Sequence, residues 1–225
     1  MSDIIIAGDS FCASVGWPEK VAEKLNLELS KHGYGGHSWW RTRSSLMELP
    51  YEVINNPEVI IFCHTQAHRI PSRDDKLVRI DYNNIDNNIP EELAVKMYWT
   101  YIFSDEFRAF FDWSHEKWYQ EISERWGHCK LIHLHCFPGT WKKRHLLKGM
   151  HIKQTLTSIS LNELGDVSEQ SLRSCGRPNH FNEHNNTALA TELVRLIENY
   201  QEGEVDLDLS KFDLKSTKWF DWRGE

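Results

Sequence analysis

Two short apolar runs constrain this chain more than anything else in it: Ile4-Ile5-Ile6-Ala7 near the start and Val59-Ile60-Ile61-Phe62-Cys63 further on. Neither alternates with polar residues, so each needs cover on both faces, as strands inside a parallel sheet do. Leu27 to Ser30 and Lys130-Leu131-Ile132-His133-Leu134-His135-Cys136 read as further strands, the latter closed by Phe137-Pro138-Gly139. Between them lie helical patterns. Pro18 opens one with Val21, Ala22 and Leu25 on a face, and a second fits Ser38 to Asn55, ahead of Pro57. One long or two shorter helices fit residues 91–126, and a last helix fits 185–200, with Leu189, Leu193, Leu196 and Ile197 facing inward.

Strands that alternate with helices, joined by connections too long for hairpins, imply parallel crossovers. The expectation is an α/β fold: a three-layer α/β/α sandwich around a central parallel, flavodoxin-like sheet. We read one domain over residues 1–200, with a polar, Asn- and Asp-rich insertion at about 70–95. An acidic tail follows over 201–225. With Phe212, Trp219, Phe220 and Trp222 it reads either as a packed strap or as a partner-binding segment.

Composition narrows the function classes. The formal net charge is -7, and the one basic run, Lys142-Lys143-Arg144-His145, is short. Backbone binding to nucleic acid needs clustered Lys and Arg, so no nucleic-acid partner is expected. The five cysteines, Cys12, Cys63, Cys129, Cys136 and Cys175, are odd in number and lack C-x-x-C spacing, which signals neither a disulfide framework nor a zinc ribbon. Free thiols in a reducing compartment follow. With no basic leader, and with an apolar start too short for a signal peptide or membrane span, the expectation is a cytoplasmic protein.

In open α/β sheets ligands bind at the carboxyl ends of the strands. That rule gathers Gly8-Asp9-Ser10, the loop Gly33-Tyr34-Gly35-Gly36-His37-Ser38, the segment Cys63 to Arg69 and the loop after Cys136 into one neighbourhood. Ser10 ends the first strand, where a hydroxyl nucleophile belongs. Serine needs an imidazole base and donors aimed at the developing oxyanion. His180, in Asn179-His180-Phe181-Asn182 ahead of the last helix, is a candidate base.

The order of these segments resembles the SGNH, or GDSL-like, hydrolase family, and the segment in which Thr65 is followed at four residues by Arg69 is similar to that of divergent members encoded by bacteriophages. Gly8-Asp9-Ser10-Phe11 matches the nucleophile block, Gly36 falls at the oxyanion glycine, and His180-Phe181-Asn182-Glu183-His184-Asn185-Asn186 is similar to the histidine block. The resemblance implies a serine esterase or deacylase that needs no cofactor and acts on an acyl or acetyl ester of a small molecule, carbohydrate or lipid. Ser10 would be the nucleophile and His180 the base, with the amides of Ser10 and Gly36 and the side chain of Thr65 holding the oxyanion.

Two positions depart from the family pattern. The third block has Cys63-His64-Thr65-Gln66 in place of Gly-x-Asn-Asp, with Thr65 at the oxyanion asparagine and Gln66 beside it. The acid position, three residues before the histidine, is Arg177, which cannot accept from an imidazole. The implied centre is therefore a Ser-His dyad, with Asp166, Glu183, another carboxylate or a backbone carbonyl left to orient His180.

Other readings compete. The altered blocks also suit a degenerate, non-hydrolytic binding protein of the same fold. His64, His68, His133, His135 and His180 raise a metal-dependent hydrolase as a less favoured account, since imidazole is a common metal ligand but no tight ligand motif is present. Asp9 or Ser10 can simply cap a turn, and Asn182 can cap the last helix. Cys12 reads as a small buried hydrophobe, and Trp39 and Trp40 as core residues or as a sugar-binding surface.

Overall fold

A computed structural model describes residues 3–34, 38–65, 97, 104–137, 147–164 and 181–215. Its elements are β1 (Asp3–Gly8), a 3-10 turn (Ser10–Cys12), α1 (Trp17–Leu25), β2 (Glu28–Gly33), α2 (Trp39–Met47), α3 (Tyr51–Asn55), β3 (Val59–His64), α4 (Asp105–Trp126), β4 (Lys130–His135), β5 (Met150–Ile152), α5 (Leu156–Leu164), α6 (Glu183–Glu198), β6 (Gly203–Val205) and a second 3-10 turn (Leu209–Lys211). The strands form one six-stranded sheet in the order β2-β1-β3-β4-β5-β6, and every pairing is parallel. The fold is α/β, and β1 to β5 follow the doubly wound order 2-1-3-4-5.

Side chains alternate across a strand, and the apolar runs feed two cores. Ile4, Ile6, Val59, Ile61, Cys63, Ile132 and Leu134 pack with Val21 of α1 and with Leu189 and Leu193 of α6. Ile5, Ala7, Ile60, Phe62 and Leu131 meet Trp39 and Leu46 of α2, Ile54 of α3, and Trp118, Tyr119, Ile122 and Trp126 of α4 on the other face. This two-sided cover is why β1 is apolar from Ile4 to Ala7 and β3 from Val59 to Cys63.

Several boundaries differ from the expected ones. β2 runs on to Gly33 because it pairs with β1 as far as Gly8. The helix expected over Ser38 to Asn55 breaks into α2 and α3 around Pro50, which lacks an amide to donate and disfavours helical geometry in the residue before it. α6 starts at Glu183, two residues early, because the Asn182 side chain accepts from the Asn185 amide at 2.7 Å. β5, α5 and β6 were not expected at all.

Residues 203–205 extend the sheet by pairing with β5, and Leu207 and Phe212 are buried. The fully buried carboxylate of Glu192 accepts from Arg195 at 2.9 Å, Lys211 at 2.9 Å and the Asp208 amide at 3.1 Å. To residue 215, therefore, the acidic tail is part of the packed fold; Trp219, Phe220 and Trp222 lie outside the described residues, as does the insertion at 70–95. Among the described residues, no helix is long and apolar enough to cross a membrane.

Candidate functional site

β1 ends at Gly8, whose φ is +139° and where an added Cβ would lie 2.1 Å from the Cys63 carbonyl oxygen. Only glycine fits there, and the close approach lets the Asp9 amide donate to that carbonyl at 3.2 Å. The chain then turns. Asp9 caps the 3-10 turn, its carboxylate accepting from both the amide and the hydroxyl of Ser10.

Further bonds fasten the turn: Cys12 Sγ donates to the Asp9 carbonyl at 3.1 Å, and Trp17 Nε1 to the Phe11 carbonyl at 2.8 Å. Gly33 closes the other side, since a Cβ there would stand 2.5 Å from the Cys12 carbonyl carbon. Ser10 is thus a buried residue, 7% exposed, in a tightly held turn.

The turn sits where the sheet changes direction. Chain order runs from β1 outward to β2, then crosses back to β3 on the other side of β1, which makes the β1–β3 boundary the switch point of the doubly wound order. Gly8 pairs with Cys63, so β3 runs one residue past the end of β1, and Thr65 is the first residue beyond it. Thr65 is 2% exposed, and its hydroxyl has no hydrogen-bond partner among the described residues. The buried hydroxyl of Ser38, the N-cap residue of α2, is in the same condition. Sequence reasoning placed Ser38 in this neighbourhood as the end of the glycine loop but gave it no role of its own.

The start of α6 arrives at this edge through apolar contact. The Phe181 ring packs on Phe11 with centroids 5.5 Å apart, and Phe137, just after β4, meets Phe11 at 6.3 Å. Asn186 Oδ1 accepts from the Trp17 amide at 3.0 Å, and Lys20 pairs with Glu183 at 2.7 Å. Glu183, one of the carboxylates open for orienting a base, is 81% exposed in that ion pair. Gly36, Gln66, Asp166, Arg177 and His180 lie outside the described residues. Among the described residues, Asp9 brings a carboxylate to Ser10; sequence reasoning had considered it only as a turn cap.

A second polar group lies on the α4 face of the sheet. His64, His115, His133, His135 and His151 are all buried, with His64 and His133 stacked at 5.0 Å between centroids and His133 and His151 at 4.5 Å. His133 Nε2 is 2.8 Å from the Lys148 carbonyl, which can only accept, so this nitrogen carries the proton. His133 Nδ1 then accepts from His64 Nε2 at 2.8 Å.

Burial and the neighbouring imidazoles hold His64 well below the usual histidine range. Burial, with His151 and His135, does the same for His133 against the opposing pull of the Lys148 carbonyl. Stacked neutral rings lie side by side rather than converging on a point. Among the described residues, no group of three or more His, Cys, Asp or Glu side chains is arranged to hold a metal ion, and His68 joins His180 outside them.

Across the sheet, the Cys63 thiol lies between Cys12 and Cys136, and burial foremost, with both thiol contacts, pushes it well up. Cys12 is a fully buried free thiol. Trp39 is buried against His115 and Trp118, whereas Trp40 is 47% exposed under the Arg43 guanidinium. Comparison of the chain with protein-family models, with curated proteins and with solved structures gives no match.

Proposed function

We propose that this chain is an SGNH-like serine esterase or deacylase acting on an acyl or acetyl ester of a small molecule, carbohydrate or lipid in the cytoplasm. The observation that carries the reading is the pairing at the switch point: Ser10 follows β1, Thr65 follows β3, and the buried Thr65 hydroxyl has no partner among the described residues. A buried donor left unsatisfied costs about 1–3 kcal/mol, and a substrate oxyanion would supply the missing acceptor.

In this reading Ser10 Oγ attacks the ester carbonyl carbon while His180 takes its proton. The carbon–oxygen bond to the leaving group breaks, and His180 returns the proton to the departing alcohol. Water, activated by the same imidazole, then releases the acid and restores Ser10. Asp9 holds the resting hydroxyl. Because Asp9 also occupies the Ser10 amide, Thr65 and the Gly36 amide carry the oxyanion unless that amide is released on binding. No cofactor enters these steps, and nucleic acid is not a partner in the proposal.

A second reading, a binding protein without turnover, is favoured by Arg177 at the acid position and by the engagement of the Ser10 hydroxyl with Asp9. Hydrolysis of short p-nitrophenyl esters and labelling by a fluorophosphonate separate the two. Turnover and labelling that both vanish in Ser10→Ala are expected; turnover unchanged in that variant would sink the esterase reading. Neither turnover nor labelling in the wild type would leave the binding protein.

A further inference from the structure

α4 changes character along its length. Its second half buries His115, Trp118, Tyr119, Ile122 and Trp126, whereas from Asp105 to Trp113 all but the half-buried Phe111 is exposed. Phe110 and Trp113, each 55% exposed, are in contact at 6.1 Å. Phe107, 41% exposed, joins them through Phe111, so the exposed aromatics are contiguous rather than scattered singly, as those of interaction sites are.

The spacing around these two rings is informative. Glu106, Phe110, Trp113 and Lys117 follow one another at intervals of four, three and four residues, the heptad seam of a helix pair. At about 100° per residue the seam points nearly opposite to the buried face, and all four side chains are exposed. The seam reads acid, aromatic, aromatic, base.

We propose that this seam joins two copies of the chain through an antiparallel, two-fold pairing of α4. A two-fold axis between positions 111 and 112 sets Phe110 against Trp113 of the second copy and Glu106 against Lys117 of the second copy. Such an isologous patch must be complementary to itself, and this one is in residue type: aromatic meets aromatic and acid meets base. Parallel pairing would instead oppose Glu106 to Glu106 and Lys117 to Lys117.

A lipid surface fits less well. From Asp105 to Trp113 the three carboxylates of Asp105, Glu106 and Asp112 outnumber the single cation Arg108, and a chain of net charge -7 is repelled by anionic headgroups. The paired seam covers on the order of 500 Å² in its four central rings, below the roughly 1,200 Å² of stable complexes. The dimer is accordingly a concentration-dependent one.

Sedimentation equilibrium of the full chain over a wide concentration range tests the proposal, with circular dichroism to verify folding. The wild type is expected to self-associate reversibly, and Trp113→Glu to stay monomeric with an unchanged spectrum, because the seam faces away from the core. Glu106→Lys and Lys117→Glu should each weaken association several-fold, and the double reversal should restore it. A monomer at every concentration, association that survives Trp113→Glu, or single reversals that the double variant does not rescue would each overturn the pairing. So would binding to phosphatidylglycerol vesicles in place of self-association.

Discussion

The ring of Phe181 lies 5.5 Å from that of Phe11, centroid to centroid, so the residue after His180 is packed on the residue after Ser10. Two segments distant in sequence are joined next to both proposed reacting groups. If His180 is the base, Phe181→Ala should lower kcat by at least tenfold with KM little changed, because misplaced catalytic groups lose rate steeply. The lost packing should cost about 2–4 kcal/mol in urea denaturation, and Phe181→Leu should recover most of both. Equal stability loss with intact kcat would detach His180 from the chemistry.

Thr65→Val separates an oxyanion donor from a structural residue. The substitution removes a hydroxyl that has no partner among the described residues, so stability should hold steady or rise by up to about 1 kcal/mol. Ester turnover should nonetheless fall by roughly 10²-fold, the scale for losing one oxyanion donor. Full activity in Thr65→Val would remove Thr65 from the proposed mechanism.

Gly8→Ala tests the close approach of β1 and β3 at the switch point. With φ at +139° and the Cys63 carbonyl oxygen 2.1 Å from the new Cβ, neither a rotamer change nor a small shift relieves the clash. A loss of more than about 2 kcal/mol is expected, read from a lowered urea midpoint. The displaced Asp9–Ser10 turn should also abolish fluorophosphonate labelling in whatever fraction remains folded.

The buried imidazoles give the protein an acid limit. His64 and His133 are held well below the usual histidine range, by burial first and by neighbouring rings. The unfolded chain therefore takes up protons that the folded one refuses once pH falls below about 6.5. Stability contributed by the neutral rings is complete above that pH and is lost as pH drops, by about 1.4 kcal/mol per pH unit for each such histidine. Urea midpoints should fall between pH 7.5 and 5.5, and His133→Phe should flatten the slope. A midpoint independent of pH over this window would contradict the neutral cluster.

Much of the architecture was legible without coordinates, and the reason is physical. Ile4 to Ala7 and Val59 to Cys63 are apolar throughout because helix side chains pack against both sets of their side chains, and that pattern predicts buried parallel strands. The Asn182 cap and the turn at Gly8-Asp9-Ser10 were readable for a similar reason, since their hydrogen bonds span only a few residues. β5 and β6, at three residues each, are too short to show a period and exist because neighbouring strands offer them a ladder.

What the sequence by itself determined is the α/β class, the place of Ser10 at the end of the first strand, and the set of residues from which a site could be built. Tertiary structure alone decided that Thr65 follows β3 with its hydroxyl buried and unmatched among the described residues, that Phe181 meets Phe11, and that His64 donates to His133 in a stacked array. These relations join segments tens of residues apart, and their geometry depends on strand order and register, which local composition does not encode.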